Sequence, residues 1–261
     1  MPTVSFVIPT RNQAAWLGRC LDGCLRQRIP AAELLVVDGA STDGTVEVLR
    51  RYGDSVSWIS EPDSGQAEAV NKGVARARGE VVAWINSDDA YAGDDAIAAV
   101  LREFEADPLV DLVYGDAEVV DAKGARLRAY ARRRFRDARD VLLAPIGPPQ
   151  PAVFFRRELF VRAGGLRTDL HFALDYDLML RLFAQARRVR YLPSTLALMT
   201  FHREAKSIRA MGAQIREAVA IKRAHAAALR PGLLGRARLL AGVASLHVYR
   251  VAVRLGLRRV S

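Results

Sequence analysis

GEVVAWINSDDAY, residues 79–91, sets a short apolar run directly against two adjacent carboxylates. Val81 to Ile85 are rich in β-branched residues and read as a buried strand, and Asn86, Ser87, Asp88 and Asp89 end it abruptly. Neighbouring carboxylates repel. At the mouth of a cleft they are costly unless a cation neutralises them, and hard divalent ions such as Mg²⁺ or Mn²⁺ favour oxygen ligands and bridge to phosphates. The pair therefore points to a diphosphate substrate held through a metal. The alternative is a solvated loop ahead of a helix that Asp94 or Asp95 caps.

The same arrangement recurs upstream. Residues 4–8, 34–37 and 56–59 are further short apolar runs, and 14–28, 45–52 and 66–78 have helical spacing. Strands alternating with helices imply an α/β fold with a parallel sheet covered on both faces. Each strand runs into polar or turn residues: PTRN, DGASTDG, EPDSG and NSDD. Ligands of such sheets sit beyond the carboxyl ends of the strands, so these four ends converge on one crevice. From Asp111 the pattern changes to a strand and hairpin turning at Lys123 and Gly124, a basic loop and the bend APIGPPQPA. Helices at 156–163 and 175–186, strands at 188–192 and 196–201, and a helical tail from Ile208 follow.

Composition restricts the function classes. A chain of 261 residues with 51% hydrophobic content fills a sizeable core. No signal-peptide pattern opens it, which places the protein in the cytoplasm. Cys20 and Cys24 lie four apart in a helical pattern and read as packing residues, since one such pair makes no disulfide framework or zinc site. The net charge of +10 belongs to the tail, where residues 203–261 hold 13 Lys and Arg against 2 Asp and Glu. That distribution, with only Tyr249 near the arginines, speaks against nucleic-acid binding.

Three other positions carry candidate chemistry. Asp38, at the end of its strand, can accept from a bound base or ribose, or else cap its turn together with Ser41 and Asp43. Gly65, Gln66 and Asn71 open the next helix and face the same crevice. Asp175 and Asp177 begin a helix, where the dipole favours carboxylates, and one of them is placed to deprotonate a hydroxyl. Two residues apart on a helix they point in different directions, and Asp175 is the candidate base.

The segments VSFVIPTRN, LLVVDGASTDGT, EPDSGQAEAVNKG, GEVVAWINSDD, QPAVFFRRELF and LDYDLMLRL, in this order, resemble the inverting family 2 glycosyltransferases of GT-A fold over residues 3–207. The resemblance implies a Rossmann-like α/β/α sandwich with a mostly parallel central sheet. It implies that Asp38 accepts from the nucleotide base with Pro9, Thr10 and Arg11 beside it, that Asp88 lies near the ribose, and that Asp89 binds Mn²⁺ or Mg²⁺ on the diphosphate. His202 matches a region that closes over the donor phosphates, where it touches phosphate or metal. Asp175 matches the catalytic base of the ED motif, although Leu174 stands where that motif has Glu. The implied reaction moves a sugar from a nucleoside-diphosphate sugar, UDP being the family's most frequent carrier, to a glycan or lipid-linked acceptor.

Two rival readings are weaker. A sugar nucleotidyltransferase carries a Gly-rich phosphate loop after its first strand, whereas PTRNQAAW has no glycine before Gly18. A non-catalytic nucleotide-sugar-binding module has no need of Asp38, Asp88, Asp89 and Asp175 together. A soft boundary near residue 205 separates the catalytic domain, residues 1–205, from a basic helical tail, residues 206–261. In residues 233–259 an arginine stripe borders an apolar face. This fits a helix lying on the inner face of an anionic membrane, or one docked on its own domain or on a second subunit of a homodimer. The longest uncharged run there, 11 residues, falls short of the roughly 20 that cross a bilayer.

Overall fold

A computed structural model describes residues 1–29, 33–130, 133–202 and 210–229. Its centre is a curled nine-stranded sheet ordered β3-β2-β1-β4-β8-β6-β9-β5, with β7 paired to β6. The strands are β1 Val4–Thr10, β2 Glu33–Asp38, β3 Ser57–Ser60, β4 Val81–Trp84, β5 Ala90–Tyr91, β6 Val110–Val120, β7 Arg126–Ala129, β8 Val153–Arg156 and β9 Arg188–Thr200. The helices are α1 Ala14–Leu25, α2 Thr45–Arg51, α3 Gln66–Arg76, α4 Ala96–Ala106, α5 Ala138–Leu143, α6 Arg157–Arg162, α7 Leu174–Gln185 and α8 Met211–Leu229.

The alternation of side chains in the central strands explains the three layers. Val4, Phe6 and Ile8 of β1 face one apolar cluster with α1 and α4, while Val7 faces the other with α3 and α7. In β4, Val81 and Ala83 join the first cluster and Val82 and Trp84 the second. A strand apolar at every position must be covered on both faces, and each fully buried side chain of this kind contributes about 1.5–3 kcal/mol. On the α3 side the fit is close enough that a β-carbon on Gly73 would lie 2.5 Å from Val7 Cγ1. Cys20 and Cys24 are buried between α1 and the sheet, as packing residues should be.

The half β3-β2-β1-β4 is parallel, as expected from the β-α alternation. Beyond it β8 runs antiparallel to both β4 and β6, and β9 runs parallel to β6. The two strands expected at 188–192 and 196–201 form a single strand, β9. Its register against β6 slips where Gly115 pairs with Leu192 and Asp116 with Thr195, at Pro193, which has no N–H to give to the ladder. β5 then closes the far edge antiparallel to β9. Residues 85–89 therefore leap from the middle of the sheet to its other end, and this leap carries the acidic pair.

The first helix of the tail, α8, packs on the layer of α5 and α7. Ile215, Val219 and Ile221 are buried there, and the ammonium of the buried Lys222 donates to the carbonyls of Leu142, at 2.8 Å, and Ala144, at 2.7 Å. The break expected at residues 230–232 and the arginine-striped stretch 233–259 lie outside the described residues. Among the described residues no helix is long and apolar enough to cross a membrane.

Candidate active site

Register brings three polar residues into a row at the carboxyl ends of the first strands: Thr10 opposite Asp38, and Asp38 opposite Ser60. Asp38 is wholly buried. One of its oxygens accepts from the Ser41 amide at 3.0 Å and the Ser60 hydroxyl at 2.6 Å, and the other accepts from the Ser41 hydroxyl. The carboxylate expected to meet a base is thus first an organiser of the β2 turn, in which Ala40 takes a left-handed backbone. The neighbouring β1 loop is zipped to this turn. Asn12 donates its amide to Ser41 Oγ and accepts from the Thr42 amide, and Asp43 accepts from the amides of Ala14 and Thr45. Burial opposes the Asp43 charge, but the Thr45 hydroxyl and these amides outweigh it and hold its pKa below the usual carboxylate value.

Pro9 and Thr10 are buried at the end of β1, while Arg11 is exposed. The Arg11 side chain and Asp63 close over Gly39, where a β-carbon would lie 2.8 Å from the Asp63 carboxylate and 3.3 Å from Arg11 Cδ. Asp63 holds the amide of Gly65, whose φ of +136° admits little but glycine. Gln66, first in α3, donates to Asn86 Oδ1 at 2.7 Å. Asn86 donates to Gln150 Oε1 at 3.2 Å, and Gln150 in turn donates to the Trp84 carbonyl at 2.7 Å. Asn71 does not turn toward this row: its side-chain amide donates to the Leu166 carbonyl and accepts from the Leu166 amide, both at 2.8 Å, clamping the 165–166 turn. One turn further along α3 than Gln66, its side chain reaches α6's exit instead.

The acidic pair resolves its repulsion by separation. Asp89 turns inward, buried, and accepts from the Thr200 amide at 2.9 Å. Burial and the neighbouring Asp88 charge push its carboxyl well above the usual range. Asp88 stays partly exposed, and its Oδ2 lies 3.0 Å from His202 Nε2. The imidazole stacks on Trp16 at 4.5 Å between ring centroids, and among the described residues its buried Nδ1 has no partner. Arg19 fastens the turn by donating to the Asp88 carbonyl and the Thr200 hydroxyl. The histidine thus meets the carboxylate expected at the ribose, not the one expected at the metal.

A divalent ion fits this donor set. One accessible carboxylate and one imidazole nitrogen supply oxygen and nitrogen donors, and the described residues hold no group of three or more such side chains. Mg²⁺ and Mn²⁺ sites completed by substrate phosphates have this character.

Asp175 opens α7, the helix that leads into β9. β8 is antiparallel to β4 and to β6, so β6 and its parallel partner β9 run in the sense of β1. β9 therefore starts at the opposite edge, where buried Asp111 pairs with Arg187 and Arg162. α7 ends just before β9, and its first turn lies about 18 Å back along its axis. Asp175 Oδ1 accepts from the Tyr176 amide at 2.8 Å, and its charge acts on half-buried Tyr130, whose amide donates to the Ala117 carbonyl in the second half of β6. Asp177 points elsewhere: it is buried against Arg181 at 2.7 Å and His225 at 3.0 Å. Burial raises its pKa, but His225 and Arg181 outweigh this and hold it below the usual value.

Ser41 caps the turn with Asp38, as the turn reading of the sequence has it. Ser60, Asn86 and Gln150 were not singled out from the sequence. Asn86 and Gln150 had a signal, standing beside the acidic pair and in the Gln-Pro bend, and Ser60 had none.

Comparison with known proteins agrees with this architecture. Hyaluronan synthase of Pasteurella multocida is 29% identical over 218 residues, 82% of this chain; the chain spans only 22% of that protein's length. A PGL/p-HBAD biosynthesis glycosyltransferase of Mycobacterium bovis (strain BCG / Pasteur 1173P2) is 30% identical over 201 residues, covering 75% of this chain and 76% of that one. Among solved structures, Staphylococcus aureus TarS 1-349 with UDP superposes with a TM-score of 0.64 at 17% identity, over 84% of this chain and 65% of that one. The mannosyltransferase PcManGT from Pyrobaculum calidifontis, solved with GDP-Man and Mn²⁺, gives 0.67 at 22% identity, over 99% and 81%. These neighbours share the GT-A fold. The profile of the family described as Glycosyl transferase family 2 matches residues 5–162. With more than half its length so matched, the chain belongs to glycosyl transferase family 2.

Proposed function

We propose that this chain transfers a sugar from a nucleoside-diphosphate donor, a UDP-sugar in the first instance, to a hydroxyl of a glycan or lipid-linked acceptor, inverting the anomeric centre. The Asp88–His202 pair, formed where the turn after β4 meets the end of β9, is the observation that carries the reading, with Asp38 at the end of β2 and Asp175 at the start of α7 proposed to face the same crevice. The nucleoside lies beside the Arg11 and Asp63 side chains that close over Gly39, at the end of the Pro9, Thr10 and Asp38 row and with Gly65 and Gln66 alongside. Asp88 and His202 would hold Mn²⁺ or Mg²⁺, with Asp89 behind them fixing the turn through the Thr200 amide. When bound, the ion neutralises charge that develops on the departing diphosphate.

In the transfer itself, the acceptor oxygen attacks the anomeric carbon from the face opposite the diphosphate. The C–O bond to phosphate breaks, its electrons leave with the diphosphate, and Asp175 takes the acceptor proton. One displacement inverts the centre. Asp177 cannot share this role because Arg181 and His225 already hold it. The nucleotides named in the complexes of the structural neighbours, UDP and GDP-Man, and the Mn²⁺ of one of them support the donor class. Residues 233–259 bring the chain to a membrane surface or a second subunit, or dock on its own catalytic domain.

A thermal-shift panel of UDP-glucose, UDP-N-acetylglucosamine and GDP-mannose with Mn²⁺, with Mg²⁺ and with chelator tests this reading. A shift for one donor that chelation abolishes is expected. Equal behaviour for every nucleotide, with or without the ion, would exclude it.

A further inference from the structure

Helix α7 begins without a cap of its own. Ala173, at the N-cap position, has no side-chain acceptor to offer, and Leu174, the first helical residue, is buried and apolar. The carboxylate at this turn comes instead from α8. Glu217 Oε1 accepts from the His171 amide at 2.9 Å, and Oε2 accepts from the amides of Phe172 at 2.7 Å and Ala173 at 2.5 Å. Three consecutive backbone donors converge on one side chain 44 to 46 residues away. Charge-assisted bonds of this kind are the stronger ones, and three together fix the path of a segment rather than only satisfy it.

Two residues after this clasp stands Asp175, whose own Oδ1 is tied to the Tyr176 amide. Its orientation therefore follows from where α7 begins. The other anchors of α8 bracket the same turn: Lys222 holds the carbonyls of Leu142 and Ala144 with its ammonium 4.9 Å over the Tyr176 ring, and His225 meets Asp177. The base is thereby held between a residue below it in the helix and a clasp above it.

We propose that Glu217 is a positioning residue for glycosyl transfer: by clasping the amides of His171, Phe172 and Ala173 from α8, it aims the Asp175 carboxylate at the acceptor hydroxyl. The inference rests on the assignment of Asp175 as base. It makes α8 part of the transfer machinery rather than an appendage.

The test is a double-mutant cycle between Glu217→Ala and Asp175→Asn in the full chain. The readout is release of nucleoside diphosphate from UDP-glucose, UDP-N-acetylglucosamine or GDP-mannose with Mn²⁺, whichever the wild type turns over fastest. Misplacing a reacting group by about 1 Å costs on the order of 10²-fold, so Glu217→Ala should lower kcat by roughly that factor while affinity for the Mn²⁺–nucleotide is unchanged. In the Asp175→Asn background the same change should remove no more than about twofold further, because nothing remains to be aimed. Equal losses in both backgrounds, or no loss in either, would overturn the positioning role. If the alanine variant does not fold, Glu217→Gln, with the same length and one acceptor oxygen, is run through the same cycle. Near-normal turnover of Asp175→Asn alone removes the base assignment; a defective Asp175→Asn with an additive Glu217 loss removes only the inference about Glu217.

Discussion

Asp88 and His202, 114 positions apart in the chain, approach to 3.0 Å because β9 returns alongside the turn that follows β4. If the two hold the ion together, His202→Ala should weaken Mn²⁺-dependent nucleotide binding by at least the 10- to 100-fold typical of losing a supporting ligand. Binding measured with chelator should not change. A histidine that only packs on Trp16 would leave the Mn²⁺ dependence intact when replaced by glutamine.

Asp175→Asn keeps the shape of the first turn of α7 and the bond to the Tyr176 amide through its side-chain oxygen. Turnover should fall by about 10²–10⁴ with little effect on nucleotide affinity, since a general base acts in the transition state and not in donor binding. Steady-state rates beside a nucleotide titration decide this, and near-wild-type turnover excludes the assignment.

Lys222 is buried with carbonyls but no carboxylate among its hydrogen-bond acceptors, and desolvation, aided by nearby Arg133, lowers its pKa from 10.5 to about 8. Below pH 8 both folded and unfolded chains carry this proton, and the folded state bears the full desolvation cost. Between about pH 8 and 10.5 the unfolded chain keeps a proton that the folded one has released, so this group makes the protein more stable as pH rises. Chemical denaturation across that range should show wild type gaining on Lys222→Met by up to about 3 kcal/mol. A constant difference would show that the lysine stays charged in the fold.

Gly73 lies against β1, and an added β-carbon would come within 2.5 Å of Val7 Cγ1. Neither α3 nor the central strand can withdraw without opening the sheet core. Gly73→Ala should therefore cost about 1–3 kcal/mol despite its gain in helix propensity, read as a lowered denaturation midpoint. An unchanged or raised midpoint would mean that this contact relaxes freely.

The parallel half of the sheet was legible because strands buried on both faces read as near-continuous apolar runs, and because each of Val4–Thr10, Glu33–Asp38 and Val81–Trp84 is followed by its own turn residues. β9 was read as two strands since Pro193 interrupts the pattern, and one chain cannot show that β6 carries the pairing past the interruption. Asp175 could be preferred over Asp177 only as a wager on helix geometry. The buried ion pair with Arg181, one turn on in the same helix, and the contact with His225 from α8 supply the reason, and only the second partner lies beyond the local pattern.

Local physics thus set the alternation of strands and helices, the polar strand ends and the candidate carboxylates, because burial and turn chemistry act over a few residues. Which carboxylate faces outward was decided elsewhere. Asp89 turned inward to the Thr200 amide, Asp38 was closed off by Ser60 of β3, and Glu217 reached the start of α7, each through a partner that only the closing of the sheet and the docking of α8 bring near. A side chain's neighbours within one turn are encoded in sequence order; those across a sheet or between helix layers depend on how the whole chain packs.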